Sequence, residues 1–215
     1  MKMNTRVTLI CLLLSLPLTW YTYQQDQNSK ESPQGDELLQ QGSVYERPYS
    51  PSFGPAEAKV TIVEFFDPAC GACRAFYPLV KEIQARHEKD VRIVLRYATF
   101  HQGSEAIVRM LEAARLQNKF KEVLEALLIA QAEWTVNHKV VADKAWPIAE
   151  AAGLDITQAK ADMTSDEISA RLQREKDDIR ALQVSKTPTF FVNEQALPKF
   201  GSQELYDLVT KELAK

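Results

Sequence analysis

The stretch "DPACGACRAFYP", Asp67 to Pro78, decides how the chain is read. It holds Cys70 and Cys73, two of the three cysteines, separated by Gly71 and Ala72. A Cys-x-x-Cys pair can be half of a zinc site, a structural staple or a redox centre, and the flanking residues distinguish these. "KVTIVEFF", Lys59 to Phe66, is a continuous β-rich apolar run, suited to a strand buried on both faces. "VRIVLRY", Val91 to Tyr97, is a second such run. Between them Phe76, Leu79, Val80 and Ile83 recur at helical spacing. Strand, helix and strand in that order predict a parallel, right-handed unit. Asp67 and Pro68 end the first strand, which puts Cys70 at the first turn of the helix. Backbone N–H groups and the helix dipole there favour an anion, so the Cys70 thiol is expected to have a lowered pKa. Cys73, one turn further in, is expected to be more buried, which makes Cys70 the exposed attacker of the pair.

The rest of the chain narrows the choice. At 215 residues with a net charge of −3, it has the balance of an ordinary globular protein and no basic surface for nucleic acid. "MKMNTR" carries Lys2 and Arg6, and Val7 to Tyr23 then holds no charge. This is the layout of an export signal or an uncleaved membrane anchor, with the preceding positive end kept in the cytoplasm. Trp20, Tyr21 and Tyr23 favour an interface and hence the anchor. Cys11, inside the run, reads as apolar filler. Residues 24–57 read as a polar, then proline-rich, spacer. The folded domain is expected over residues 58–215.

In that domain only Cys70 and Cys73 remain, too few for a disulfide framework. A tetrahedral zinc site needs two further ligands, and His87, His101 and His138 show no His-x₃₋₅-His spacing. A lone thiol pair in an oxidising compartment is most simply a redox pair. A non-enzymatic protein holding a soft ion such as Cu(I) is the competing class.

Further along, "SKTPTFFVN" places Thr187, Pro188 and Thr189 before a short strand, Phe190 to Val192, and a last helix is expected near Ser202–Ala214. With "VEFFDPACGAC" and this order of elements, the chain from about Val60 resembles the DsbA-like thiol:disulfide oxidoreductases. The resemblance implies an α/β thioredoxin fold, a central mixed sheet flanked by helices with an inserted helical domain over about 103–182. In that family the first cysteine attacks, the second resolves and a cis-proline faces them. Cys70, Cys73 and Pro188 match those positions. Thr187 matches the residue before the proline, which contacts the substrate backbone, and Gly71 and Ala72 sit on the same substrate side. Glu64 matches an acidic residue beneath the active site, and Pro78 a helix-kinking proline. Such proteins use no cofactor beyond their redox-active disulfide. Their partners would be exported cysteine-containing proteins, and a membrane or periplasmic redox protein that resets the pair, on the periplasmic side of a bacterial inner membrane.

Several local expectations can be checked. Glu64 is either a buried proton acceptor for Cys73 or the ion-pair partner of Arg96. Asp67 is expected to oppose thiolate formation at Cys70. "QREKDDIR", Gln173 to Arg180, reads as a solvated helix face. Trp134, Trp146 and Met110 read as core. "NEQ", Asn193 to Gln195, lacks the glycine of a tight hairpin and suggests a longer turn.

Overall fold

The computed structural model describes residues 42–137 and 139–215. The apolar run Val7–Tyr23 lies outside the described residues. Among the described residues no helix is long and apolar enough to cross a membrane.

The chain runs β1 (Ser52–Phe53), β2 (Val60–Phe66), α1 (Gly71–Arg86), β3 (Val91–Tyr97), α2 (Ser104–Leu116), α3 (Phe120–Ile129) and α4 (Gln131–Trp134). It continues with a small hairpin, β4 (Thr135–Val136) and β5 (Lys139–Val140), then α5 (Ala142–Ala151), α6 (Ile156–Asp162) and α7 (Asp166–Ala181). The close is β6 (Thr189–Val192), β7 (Gln195–Ala196) and α8 (Ser202–Leu213). The main sheet has the order β1-β3-β2-β6-β7. β2 and β3 are parallel, and β1, β6 and β7 run antiparallel to their neighbours. This is the thioredoxin fold expected from the sequence, with α2 to α7 inserted between β3 and β6.

Strand alternation divides the sheet into two faces. Val60, Ile62 and Phe66 of β2 join Ile93, Leu95 and Tyr97 of β3 in a large core that also takes in Val80 and Ile83 of α1, Met110 and Trp134 of the insertion and Val209 of α8. Val63, Phe65, Val94 and Phe191 form a smaller core on the other face, with Val184 beside them and Tyr45, Ile179 and Leu182 packed on it. Both strands are therefore covered on both faces, which is why they read as unbroken apolar runs. Met110 and Trp134 are fully buried, and Trp146 is partly buried against the same core.

Three expectations are corrected. The spacer ends earlier than residue 57. Ser52 and Phe53 pair with Val94 and Ile93, Tyr45 meets Phe191 edge-on at 5.0 Å, and Arg47 is buried. The stretch Gln173–Arg180 is not uniformly solvated, because Glu175 and Asp178 are buried. They occupy the face of α7 that Ile168 and Leu172 begin, and they meet Arg96 and Arg47. Lys119 to Trp134 carry two helices, α3 and α4. The buried Trp134 indole N–H donates to the Leu127 carbonyl at 2.8 Å, and the chain breaks at Ala130 between α3 and α4. The hairpin after Val192 is tight, with Val192 paired to Gln195 and only Asn193 and Glu194 between them. Both adopt positive φ, 46° and 65°, the geometry of a type I′ turn. Asn193 holds it without glycine, accepting from the Thr61 N–H at 2.9 Å and donating to the Lys59 carbonyl at 3.3 Å.

Candidate active site

Cys70 is the N-cap of α1, with extended backbone (φ −79°, ψ 121°) and no side-chain oxygen capping the helix start. The first turn holds no acidic residue. The N–H groups of Ala72 and Cys73 are thus left for the Cys70 sulfur. Cys73 sits one turn in, 1% exposed, with the Asp67 N–H donating to its sulfur at 3.5 Å. Both cysteines are free thiols. Cys70 is 7% exposed, so it is less open than the sequence suggests, although Gly71 and Ala72 beside it are exposed. A Cβ added at Gly71 would meet nothing within 4 Å, so the mouth of the site is open on that side.

The structure brings the distant Thr187–Pro188 segment to the cysteines. The Thr187–Pro188 bond is cis, and the Cys70 S–H donates to the Thr187 carbonyl at 3.4 Å. Pairing of β6 with β2 carries that segment there, through Thr189 opposite Phe65 and Phe190 opposite Glu64.

The two thiols are driven apart electrostatically. Cys70 is lowered to about 5, chiefly because the Cys73 thiol donates to it. The Thr187 side chain and the two backbone N–H groups add to this, and together they outweigh burial. The bond to the Thr187 carbonyl works against ionisation, since only the neutral thiol makes it, but the donors outnumber it. Cys73 is raised well above an ordinary thiol by burial first, then by its bond to Cys70 and the charge of Glu64.

Glu64 is 2% exposed, and its Oε2 has no hydrogen-bond partner. Burial, helped by the Cys70 charge, pushes its carboxyl up to about 8. It does not pair with Arg96. In the parallel register Glu64 lies opposite Leu95, and Arg96 lies opposite Phe65 on the other face of the sheet. Arg96 spends its guanidinium there, on Glu175, Asp178 and the Phe65 ring.

Asp67 is engaged by partners of its own. Its fully buried carboxylate accepts from the Ala69 N–H at 2.8 Å, the His101 N–H at 2.8 Å and the Ser104 hydroxyl at 3.1 Å, and meets His101 Nδ1 at 2.9 Å. Both carboxyl oxygens of Asp67 are thus engaged. Gly103, at φ 85°, lets the chain turn between His101 and Ser104, and a side chain there would also press on Val140 at 3.1 Å. Gln131, 4% exposed, donates to the Pro68 carbonyl at 2.7 Å and the Cys70 carbonyl at 3.1 Å. Sequence reasoning missed His101, Ser104 and Gln131 as neighbours of the site. Asp67 before Pro68 carried a turn signal, whereas nothing local marked Gln131. A groove of about 300 Å³ between α1 and α8, lined by Leu79, Ile83, Arg86 and Tyr206 among others, contains neither cysteine. Among the described residues no group of three or more His, Cys, Asp or Glu is placed to hold a metal ion.

The sequence profile of the thioredoxin family matches residues 46–209. The chain is 28% identical over 167 residues to a Na(+)/H(+) antiporter NhaA of Herminiimonas arsenicoxydans, a match covering 76% of this chain and 26% of that protein. It thus spans about a quarter of the length of the curated relatives it matches. Among solved structures it is similar to a thioredoxin-like oxidoreductase from Silicibacter pomeroyi DSS-3, at 28% identity and a TM-score of 0.68, covering 84% of this chain and 98% of that one. BdbD from Bacillus subtilis, in its oxidised form, shares the fold at 23% identity and a TM-score of 0.68, over 77% of this chain and 94% of that one.

Proposed function

The chain belongs to the thioredoxin family, and from that premise we propose that it is a DsbA-like thiol:disulfide oxidoreductase working as an oxidase of exported cysteine-containing proteins. The observation that carries this reading is the polarised thiol pair. A substrate thiolate attacks the Cys70 sulfur of the Cys70–Cys73 disulfide. The Cys70–Cys73 bond breaks, a substrate–Cys70 bond forms, and Cys73 leaves. A raised thiol pKa makes Cys73 a poor leaving group unless it is protonated. Glu64, with its carboxyl near 8, holds a proton at neutral pH and is the buried acid that acts on Cys73. The substrate's second thiolate then attacks its own bridged sulfur and releases Cys70 as a thiolate. The substrate has lost two electrons, and the dithiol has gained them. A membrane or periplasmic redox partner that takes them back completes the cycle, placing the work on the periplasmic side, where the segment Val7–Tyr23 would hold or deliver the chain. Ion transport is no part of this reading, because the chain matches about a quarter of the antiporters and its folded residues enclose a dithiol.

The ionisation of Cys70 supports electron flow from substrate to the pair. A thiol near 5 is ionised at pH 7, which stabilises the reduced pair about 100-fold over one with ordinary thiols. Two decades for a two-electron couple make the disulfide about 60 mV more oxidising. The Cys70/Cys73 reduction potential, measured against glutathione, is therefore expected above the thioredoxin value of about −270 mV. A value at or below it would make the protein an isomerase or reductase, the second reading. Copper binding that survives alkylation of Cys70 would count for the metal alternative.

Glu64→Gln tests the proton step. A carboxyl raised by burial disfavours folding increasingly as pH climbs from about 4.5 to about 8, because the unfolded state ionises first. The amide lacks that penalty. The variant should be about 4 kcal/mol more stable than the parent at pH 8 and equal to it at pH 4. It should also form the substrate–Cys70 disulfide more slowly at pH 7, because Cys73 must leave protonated. Unchanged kinetics of mixed-disulfide formation across pH 6–9 would leave Glu64 a structural role only.

A further inference from the structure

The loop that delivers Cys70 is held from both sides by the helical insertion. Residues 67–70 form a turn closed by the Cys70 N–H donating to the Asp67 carbonyl at 2.9 Å. On one side Asp67 binds the Ala69 N–H within the loop and ties it to His101 and Ser104 at the start of the insertion. On the other side one nitrogen, Gln131 Nε2, reaches two carbonyls, Pro68 and Cys70. Pro68, Asp67 and Gln131 are all buried. Water is therefore a poor substitute for any of these partners.

We propose that Gln131 is a positioning residue through which the helical insertion sets the ionisation of the Cys70 thiol. The inference rests on Cys70 being the attacking thiol. Its basis is chemical. The Cys70 carbonyl also accepts the first α1 bond, from the Arg74 N–H at 3.1 Å, so Gln131 adds a donor at the helix start where the sulfur sits. Holding Pro68 and Cys70 together fixes the sulfur against the N–H groups of Ala72 and Cys73. A carboxamide supplies two donors on one atom and no charge. The ionisable groups that act on the pair are Cys70 and Cys73 themselves and Glu64, so loss of Gln131 should shift the Cys70 titration without adding a second step.

The test is Gln131→Met, which keeps the volume and removes both donors. Alkylation of Cys70 against pH, read by mass on the reduced full chain, should show its midpoint about 1 pH unit higher, a tenfold change in the ionisation constant. The rate at pH 5 should then fall about fivefold, and the rates at pH 9 should agree. Coincident curves in a folded variant would overturn the proposal. Should the variant not fold, the unsubstituted protein decides: the Gln131 side-chain amide resonances should move with the Cys70 titration, and resonances that stay still across it would overturn the proposal equally. Failure of Cys70 to alkylate in either protein at any pH would instead remove the attacking-thiol reading on which the proposal rests.

Discussion

Cys70→Ala should abolish disulfide exchange and capture no partner, whereas Cys73→Ala should accumulate mixed disulfides through Cys70. The asymmetry follows from position. Cys70 caps α1 beside exposed Gly71 and Ala72, and its thiol is lowered to about 5. Cys73 is 1% exposed and its thiol is raised, so alone it presents under about 1% thiolate at pH 7 and no open path to it. Without Cys73 the attacking thiol survives, but the sulfur that displaces the substrate is gone. Part of the stabilisation of Cys70 goes with it, because the Cys73 thiol is its first donor. The Cys70 midpoint in Cys73→Ala should therefore rise, and trapping should be faster at pH 8 than at pH 6. Captured proteins should appear as reducible high-mass bands and should be exported, cysteine-containing chains. Equal behaviour of the two variants would sink the redox reading. Capture of cytoplasmic proteins alone, from intact cells, would sink the placement of that chemistry outside the cytoplasm.

Much of this site was legible because it is local. The cysteines, the strands on either side and the helix start lie within Lys59–Tyr97, where apolar runs and helical spacing report burial directly. Thr187 and Pro188 were legible through a motif, although β6 pairing is what carries them more than a hundred residues back to Cys70. The illegible parts are those in which a polar residue takes a buried place. Glu175 and Asp178 look solvated in "QREKDDIR", since nothing in that stretch shows that Arg96 and Arg47 arrive from elsewhere. Arg47 in turn lies in a proline-rich stretch that reads as spacer, yet its neighbours pair with β3. Helix α6 leaves little trace in the sequence although Asp155 caps it, accepting from the Gln158 N–H at 3.0 Å, because a helix this short carries little apolar period. Gln131 shows the same limit at the active site: its role lies in two carbonyls some sixty residues away.

The buried ion network is where a single substitution should cost most in stability. Arg96 is fully buried on the sheet face opposite the thiols. It donates to both Glu175 oxygens at 3.0 and 3.1 Å, to Asp178 at 2.7 Å and to the Val44 carbonyl at 2.8 Å. Arg47 reaches Asp178 from the N-terminal segment at 2.6 Å. Burial pushes Asp178 up, but the bonds to Arg47 and Arg96 outweigh it and hold the carboxyl below its usual range. Burial wins at Glu175, which rises to about 7 despite Arg96. Arg96→Ala would leave two buried carboxyls sharing one remaining guanidinium, and would open a hole beside Phe65. Removing one partner of a buried pair costs about 3–5 kcal/mol, because the other charge stays desolvated. At about 2 kcal/mol per molar urea, the unfolding midpoint should fall by about 2 M. The sign with pH is also fixed. Freed of Arg96, both carboxyls should rise, so their protonation on folding relieves the defect, and the deficit against the parent should shrink from pH 7 to pH 5. Arg86→Ala, which breaks an exposed pair with Glu82, should change stability by less than about 0.5 kcal/mol. An Arg96→Ala midpoint as close to the parent as that of Arg86→Ala would mean that the network contributes nothing to holding the N-terminal segment and α7 on this face of the sheet.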